Sequence, residues 1–395
     1  MVMAEIKKVL IVGGGFGGVK AALELSADEI FEVSLISDQP NFRYYPALYR
    51  AATGGKSSTA SIPLTEIFKG KNVQLVTDRI QKLNRAERRI KGNSGHSYSY
   101  DILILALGVV TNFFGVKGLE KYAYGIKTLD DAQELRDHLH RQLLKDHSPD
   151  LNYVVVGGGP TGVELAGELP HYLRHIMSRH GIKRQSVHVD LVEAEPRLLP
   201  RLPRAYSRAV QKRLRRLRVQ LFLNQAVKAE TADELRLDGH SIDSHTVIWT
   251  AGVTNHPFFK TNDFKLNEHG RVIVDQYLQA EPDIYVIGDN ADTAYSGMAQ
   301  TALRDGVFVA KNLKRASLDQ LPLSYKAKKP VYATPVGPHW AAVLWGNLQI
   351  DGWLGWLLRK AADFVAYHDY QPWWKAGQLV IAEAESDESC PVCKK

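Results

Sequence analysis

The strongest constraint in this chain is the way one apolar run ends. Tyr153-Val154-Val155-Val156 stops at Gly157 and passes, without a loop, through Gly158, Gly159, Pro160, Thr161 and Gly162 into a helical pattern carrying Val163, Glu164, Leu165, Glu168 and Leu169. The run reads as a strand buried on both faces, and the spacing Gly157-x-Gly159-x-x-Gly162 gives each glycine a task. The first permits a tight strand-to-helix turn, the second lets a pyrophosphate approach the backbone, and the third lets helix pack close on strand. Amides at the helix N-terminus, where Pro160 and Thr161 stand, are then free for phosphate. The next apolar run, His188-Val189-Asp190-Leu191-Val192, closes on Glu193. A carboxylate there accepts hydrogen bonds from an adenosine ribose and repels a 2′-phosphate, which predicts NADH over NADPH.

The same signature stands earlier. Residues 9–12 form a short apolar strand that runs into Gly13, Gly15, Phe16, Gly17 and Gly18, with Val19, Ala22, Leu23 and Leu25 following at helical spacing. The next strand ends at Ser37-Asp38. An acid is expected where Ser37 stands, so either Asp38 takes the ribose contact or that contact is weaker here. Two fingerprints in one chain are explained by two dinucleotides held face to face, one a tightly bound flavin and the other an exchangeable nicotinamide.

At 395 residues, 45% hydrophobic and 24% charged, the chain has the length of two or three domains and the composition of a folded protein. A formal charge of +7 favours an anionic partner: dinucleotide, lipid surface or nucleic acid. No zinc-finger spacing or basic-aromatic RNA motif occurs, so no nucleic acid is expected. Cys390 and Cys393 are the only cysteines. Two sulfurs cannot fill a structural zinc site alone, and no metal is expected; the pair reads as a passive tail, an intermolecular half-site or a redox pair. No segment approaches the ~20 apolar residues of a membrane-spanning helix.

Residues 41–49, with Arg43 and Pro46, read as a loop suited to lie against a flat ring system. A buried strand at 101–105 runs through Ala106 to Gly108, ahead of Thr111. Residues 129–147 have a helical pattern whose His138, His140 and His147 lack metal-site spacing and read as surface residues. A helix over 206–218 places Arg208, Lys212, Arg215 and Arg216 on or near one face, either a solvated face or a lipid- or nucleotide-binding patch. After Ala251 and Gly252, the apolar run 283–287 ends in Gly288-Asp289 and places Asp289 at the carboxyl edge of a sheet, a candidate ligand of the flavin ribityl chain. The helix that follows opens with Ala299-Gln300-Thr301, whose amides point to the flavin's oxygen-rich edge.

The last seventy residues or so hold six of the seven tryptophans, and Trp353-Leu354-Gly355-Trp356-Leu357-Leu358 precedes Arg359-Lys360. Aromatic rings beside cations, without spanning length, describe an interfacial helix, and a dimer interface has the same signature. The fold expected is α/β, with two Rossmann-like dinucleotide-binding domains and the NAD domain inserted in the FAD domain. Residues 1–115 and 251–325 form the FAD domain, 116–250 the NADH domain, and 326–395 a C-terminal membrane-associating or dimerising segment.

With these motifs in order, the chain resembles the type II NADH:quinone oxidoreductases of the two-dinucleotide flavoprotein superfamily, strongly over 6–313 and more loosely beyond. The resemblance implies non-covalent FAD at the first unit and NADH at the second. It also implies a quinone near the C-terminal segment, peripheral attachment to the cytoplasmic face of the membrane and no proton pumping. It places Glu164 beside the nicotinamide, with Glu168 one turn on, either of them able to steer the ring or relay protons, and it puts Gln300 at the catalytic centre. Gln300 and Thr301 face the quinone in this reading, with Arg304 where the family usually shows a second Gln and Asp305 beside it as a charged pair. A cysteine pair near the first helix, needed by disulfide reductases, is lacking, and internal cysteines, on which sulfide:quinone reductases rely, are lacking too. An NADH-dependent reductase of a small electron-carrier protein and a flavin-based redox sensor remain as alternatives.

Overall fold

The computed structural model describes residues 6–144, 150–182 and 187–386; His147, Cys390 and Cys393 lie outside them. Its first sheet has six strands, in spatial order Gln279–Glu281, Ile284–Val286, Ile102–Leu105, Lys7–Val12, Phe31–Ser37 and Val73–Thr77. The inner pairings are parallel, and Val9, Leu10, Ile11 and Val12 are buried because helices or loops cover both faces. Chain order reverses between Lys7–Val12 and Ile102–Leu105, and the carboxyl ends of those two strands border the crevice where such sheets bind ligands.

A second, four-stranded parallel sheet runs Val219–Leu223, His188–Glu193, Asn152–Val156 and Thr246–Trp249, with its own reversal beside Asn152–Val156. The chain leaves the first unit and returns to it along one antiparallel ribbon, Val109–Thr111 against Val253–Asn255. Beyond both units, Tyr332–Pro335, Ala341–Trp345 and Leu348–Gly352 form a three-stranded antiparallel sheet, followed by helices Trp353–His368 and Trp373–Ala382. Among the described residues no helix is long and apolar enough to cross a membrane.

Two local expectations are corrected. Residues 41–49 are ordered pieces rather than a loop: Asn41–Arg43 pairs with Ser61–Pro63, and a helical turn Tyr45–Ala47 leads into helix Leu48–Ala52. Burial of Phe42, Tyr44, Leu48 and Tyr49 explains this, since backbone taken out of water must hydrogen-bond internally. His138 and His140 are not surface residues. His138 stacks on Tyr124 at 4.3 Å and meets Thr246 Oγ1 at 2.9 Å, and His140 meets the Tyr172 hydroxyl at 2.9 Å. Burial pushes both imidazoles down to about 4, so they are neutral structural groups.

Candidate functional site

The two fingerprints build matching cradles. Gly13 and Gly157 have φ of +119° and +115°, which disfavours a side chain at either place. A Cβ at Gly18 would lie 2.0 Å from the Gly13 carbonyl oxygen, and one at Gly162 would lie 1.9 Å from that of Gly157. Those contacts set how closely helices Phe16–Leu25 and Pro160–Arg179 approach their strands. At Gly15 and Gly159, by contrast, a Cβ would meet nothing within 4 Å, so both helices begin at an open space. Neither helix has a side-chain cap or an acid in its first turn, which leaves the N-terminal amides free for an anion. Both cradles therefore fit a pyrophosphate.

The strand-end residues beside the cradles correspond. Glu193 Oε2 accepts from Gly158 N at 2.5 Å and lies 2.7 Å from where a Gly158 Cβ would sit. In the first unit, Ser37 Oγ lies 2.5 Å from the equivalent point on Gly14. Ser37 thus occupies the place that Glu193 has in the second unit. Asp38 turns aside to pair with Arg43 at 2.7 Å. A cavity of about 190 Å³ opens against Glu193, walled by Phe114, Val227, Trp249 and Ala251 with Gln225 at its side. Its apolar walls and single acid suit an adenosine. Gly252, at φ +82°, leaves room for Phe114, whose ring a Cβ there would meet at 2.2 Å.

In the first unit, Gly288-Asp289 turns at the sheet edge. Asp305 Oδ2 accepts from Gly288 N at 3.0 Å, Asp305 Oδ1 accepts from the Tyr325 hydroxyl at 2.6 Å, and Asp289 Oδ1 accepts from Gly297 N at 3.1 Å. Burial raises the Asp289 carboxyl, against the pull of Lys127, which lies over the Tyr45 ring at 5.7 Å. Asn290 brackets Gly108, accepting from its N–H at 2.8 Å and donating to its carbonyl at 2.6 Å. Beneath the cradle, the Ala106 carbonyl lies 2.1 Å from where a Gly13 Cβ would sit.

A buried ionic network joins both units to the C-terminal helices. Glu164, on the second fingerprint helix, has its carboxyl pushed up to about 7 by burial, against the pull of Arg359. Arg359 Nη1 lies 3.9 Å from Glu164 Oε1 and donates to the Ala333 carbonyl at 2.8 Å, while its Nε donates to both Asp363 oxygens at 3.0 Å. Tyr44 donates to Asp363 at 3.1 Å. Glu383 accepts from Arg50 at 2.8 Å, Lys360 at 2.6 Å and the Tyr367 hydroxyl at 2.9 Å. Burial also raises the carboxyl of the less deeply set Glu168, against the pull of Arg50. Helix Trp353–His368 is therefore amphipathic in the inverted sense. It buries Gly355, Arg359, Asp363 and Tyr367 at four-residue spacing and exposes Trp353, Leu354, Leu357 and Val365.

Residues 7–306 match the family of pyridine nucleotide-disulphide oxidoreductases. The chain belongs to that family. The type II NADH:quinone oxidoreductase Ndh of Mycobacterium tuberculosis is 29% identical over 384 residues, 89% of this chain and 82% of the relative. A Plasmodium falciparum NDH2 solved in complex with NADH superposes with a TM-score of 0.87 at 17% identity, over 98% of this chain and 99% of the other. The sulfide:quinone oxidoreductase of Aquifex aeolicus superposes with a TM-score of 0.79 at 20% identity, over 95% and 92%. Both superpositions establish the fold. The chain is an oxidoreductase of this two-dinucleotide architecture.

Within the family frame, the side chains expected on the quinone side have local partners. Gln300 donates to the Val331 carbonyl at 2.9 Å and accepts from Val331 N at 3.2 Å, Thr301 donates to the Tyr295 carbonyl at 2.9 Å, and Arg304 donates to the Lys328 carbonyl at 2.9 Å. Gln300 and Arg304 fasten the segment 318–331 along helix Ala299–Ala316. Arg304 and Asp305 are not a charged pair, because they point to different partners. Arg359 and Lys360, expected as outward cations of an interfacial helix, are corrected to inward ones, since Asp363 and Glu383 hold them. The sequence reading missed Arg50, Asn290, Arg359 and Asp363 as site-shaping residues. The four-residue spacing of polar groups in an otherwise apolar helix was the available signal for the last two.

Proposed function

We propose that this chain is an FAD-dependent, non-proton-pumping NADH:quinone oxidoreductase that works as a peripheral protein at a membrane surface. The inverted helix Trp353–His368 carries the proposal. Its buried face reaches Glu164 on the NADH-side helix and Tyr44 beside the first cradle, while its outer face is apolar. A lipid-dissolved acceptor and a nucleotide-binding helix thus share one element.

When bound, FAD supplies the hydride acceptance and the two-electron delivery to quinone. The chain's own residues position the reactants. The free amides at Gly15 and Gly159 take the two pyrophosphates, Ser37 and Asp289 hold the flavin nucleotide's hydroxyls, and Glu193 takes the adenosine ribose of NADH in the cavity beside Trp249. Ala299 and Gln300 present the N-terminus of their helix to the flavin's oxygen-rich edge, where it favours developing negative charge. Glu164, titrating near 7, can hold or release a proton at working pH, whereas Glu168 is set less deeply and serves to steer the nicotinamide.

The deciding experiment is anaerobic NADH oxidation by the purified flavoprotein, with and without a short-chain quinone. Rapid multiple turnover only with quinone is expected. Flavin reduction that stalls after one turnover in the presence of quinone would overturn the assignment and point to a protein acceptor or a redox sensor. Glu193→Ala should narrow the preference for NADH over NADPH by about tenfold, the worth of one good charged hydrogen bond. An unchanged ratio of kcat/KM values would remove the ribose contact from Glu193.

A further inference from the structure

An interfacial helix normally sets its aromatic rings among lipid chains and its own cations among headgroups. Here residues 340–386 have no cation to spare. From Trp340 to Ser386 the only basic residues besides histidine are Arg359, Lys360 and Lys375, and they are paired with Asp363, Glu383 and Glu66. The face they leave behind is apolar: Trp345, Trp353, Leu354 and Trp373 are exposed.

Unpaired cations border that face from outside residues 340–386. Helix Arg204–Arg216 packs directly on the C-terminal sheet: Tyr206 donates to the Ala342 carbonyl at 2.7 Å, and Arg213 donates to the Pro338 carbonyl at 3.0 Å. The Arg213 guanidinium lies 5.9 Å from the Trp340 ring centre, and Trp340 in turn lies against Gly352, next to Trp353. The outer face of this helix carries Arg208, Lys212, Arg215 and Arg216, all exposed and, among the described residues, without an ion-pair partner. No acid occurs in the sequence between Glu195 and Glu230 to neutralise it. At the other end of the sheet, Lys329 donates to the Gly346 carbonyl at 3.2 Å, beside exposed Trp345, and Lys326 and Lys328 are exposed on the same segment.

We infer that helix Arg204–Arg216 and the lysines at 326, 328 and 329 form the headgroup-binding borders of the apolar C-terminal face, and that their partner is a membrane surface rich in anionic phospholipid. This rests on the membrane attachment proposed above and adds its lipid selectivity. A sheet of phosphates over hydrocarbon matches cations flanking an apolar face. A second copy of this chain, itself at +7, would bring like charges to the same borders. The arrangement divides labour. The aromatic face supplies insertion, and a helix of the nucleotide domain supplies orientation, so the anionic surface also restrains the domain that binds NADH.

The test is co-sedimentation of the full-length, FAD-loaded protein with vesicles of phosphatidylcholine alone or with added phosphatidylglycerol. Wild type should bind the anionic vesicles at least about tenfold more tightly, and rising salt should erase the difference. Replacing Arg208, Lys212, Arg215 and Arg216 by Gln, or Lys326, Lys328 and Lys329 by Gln, should remove part of that preference, and the combined variant all of it. Binding of the combined variant to phosphatidylcholine, its flavin content and its turnover with a short-chain quinone should stay as in wild type, which separates the effect from misfolding. A combined variant that keeps the full anionic preference overturns the inference, and so does a wild type that binds both vesicles equally. The underlying attachment is read separately: Trp353→Ser with Trp373→Ser should abolish binding to phosphatidylcholine, and unchanged binding there would overturn the attachment itself.

Discussion

Asp289→Ala is expected to give colourless or weakly flavinated protein. The carboxyl stands at the carboxyl end of strand Ile284–Val286, held by the Gly297 amide at 3.1 Å, and the turn behind it is fixed by Asp305 on Gly288 N at 3.0 Å. Alanine removes the only acid that this turn offers to a flavin hydroxyl and leaves the turn itself in place. Loss of a charge-assisted hydrogen bond, worth about 1.5–3 kcal/mol, weakens FAD binding by roughly ten- to a hundredfold. The measurement is the ratio of flavin to protein absorbance after purification, followed by titration with added FAD. Protein as yellow as wild type would take the ribityl contact away from Asp289. Asp305→Asn should have a milder effect, since the amide can still accept from Gly288 N while Tyr325 loses its charged partner.

Arg359→Met should be the most destabilising single change in the C-terminal segment. It leaves Asp363 buried with a lone hydroxyl partner, Tyr44, and leaves Glu164 without its nearest cation. Breaking a buried pair from one side costs about 3–5 kcal/mol, because the stranded charge cannot return to water. The pH dependence has a definite sign. Removing the guanidinium raises the folded-state titration of both carboxyls further above their unfolded values. Well below pH 4 the carboxyls are protonated in both states and the variant's deficit is small. The deficit grows as pH rises through the wild type's folded-state values, about 7 for Glu164, and levels off above the variant's higher ones. Denaturant midpoints measured across that range check it, and a deficit that shrinks toward neutral pH would contradict the assignment. In the same variant, the inflection near 7 expected from Glu164 in the pH profile of quinone reduction should move upward. Glu164→Gln should abolish that inflection and should relieve the stability burden that the buried carboxylate imposes as pH rises toward 7.

Much of this protein was legible in its sequence because backbone rules act over a few residues. A run such as Val154-Val155-Val156 has one way to be buried, and a Gly-x-Gly-x-x-Gly turn following it has few stable outcomes. The two cradles, the strand-end Glu193 and the Gly288-Asp289 turn are all local features of this kind. The choice between Ser37 and Asp38 was open in the sequence, since one residue of strand register separates them. In the structure Ser37 faces Gly14, and Asp38 is drawn off by Arg43. His138 and His140 read as surface residues because their helix shows a polar pattern; neighbours far along the chain, Thr246 and Tyr172, bury them.

The sequence by itself determined the two nucleotide folds, the pairing of an acid with the second of them, and the apolar, tryptophan-rich character of the C-terminal segment. Each follows from residue type and spacing within one strand–turn–helix unit or one helix. Only the tertiary structure decided which way helix Trp353–His368 faces. Its hydrophobic pattern alone gives it an apolar side without fixing what that side meets. Glu164, Tyr44 and the Ala333 carbonyl, from three separate parts of the chain, offer Arg359 and Asp363 enough partners to be buried. An ion pair such as Arg359–Glu164, between residues some two hundred positions apart, leaves no periodic trace in a sequence, and here it helps turn Trp353 outward.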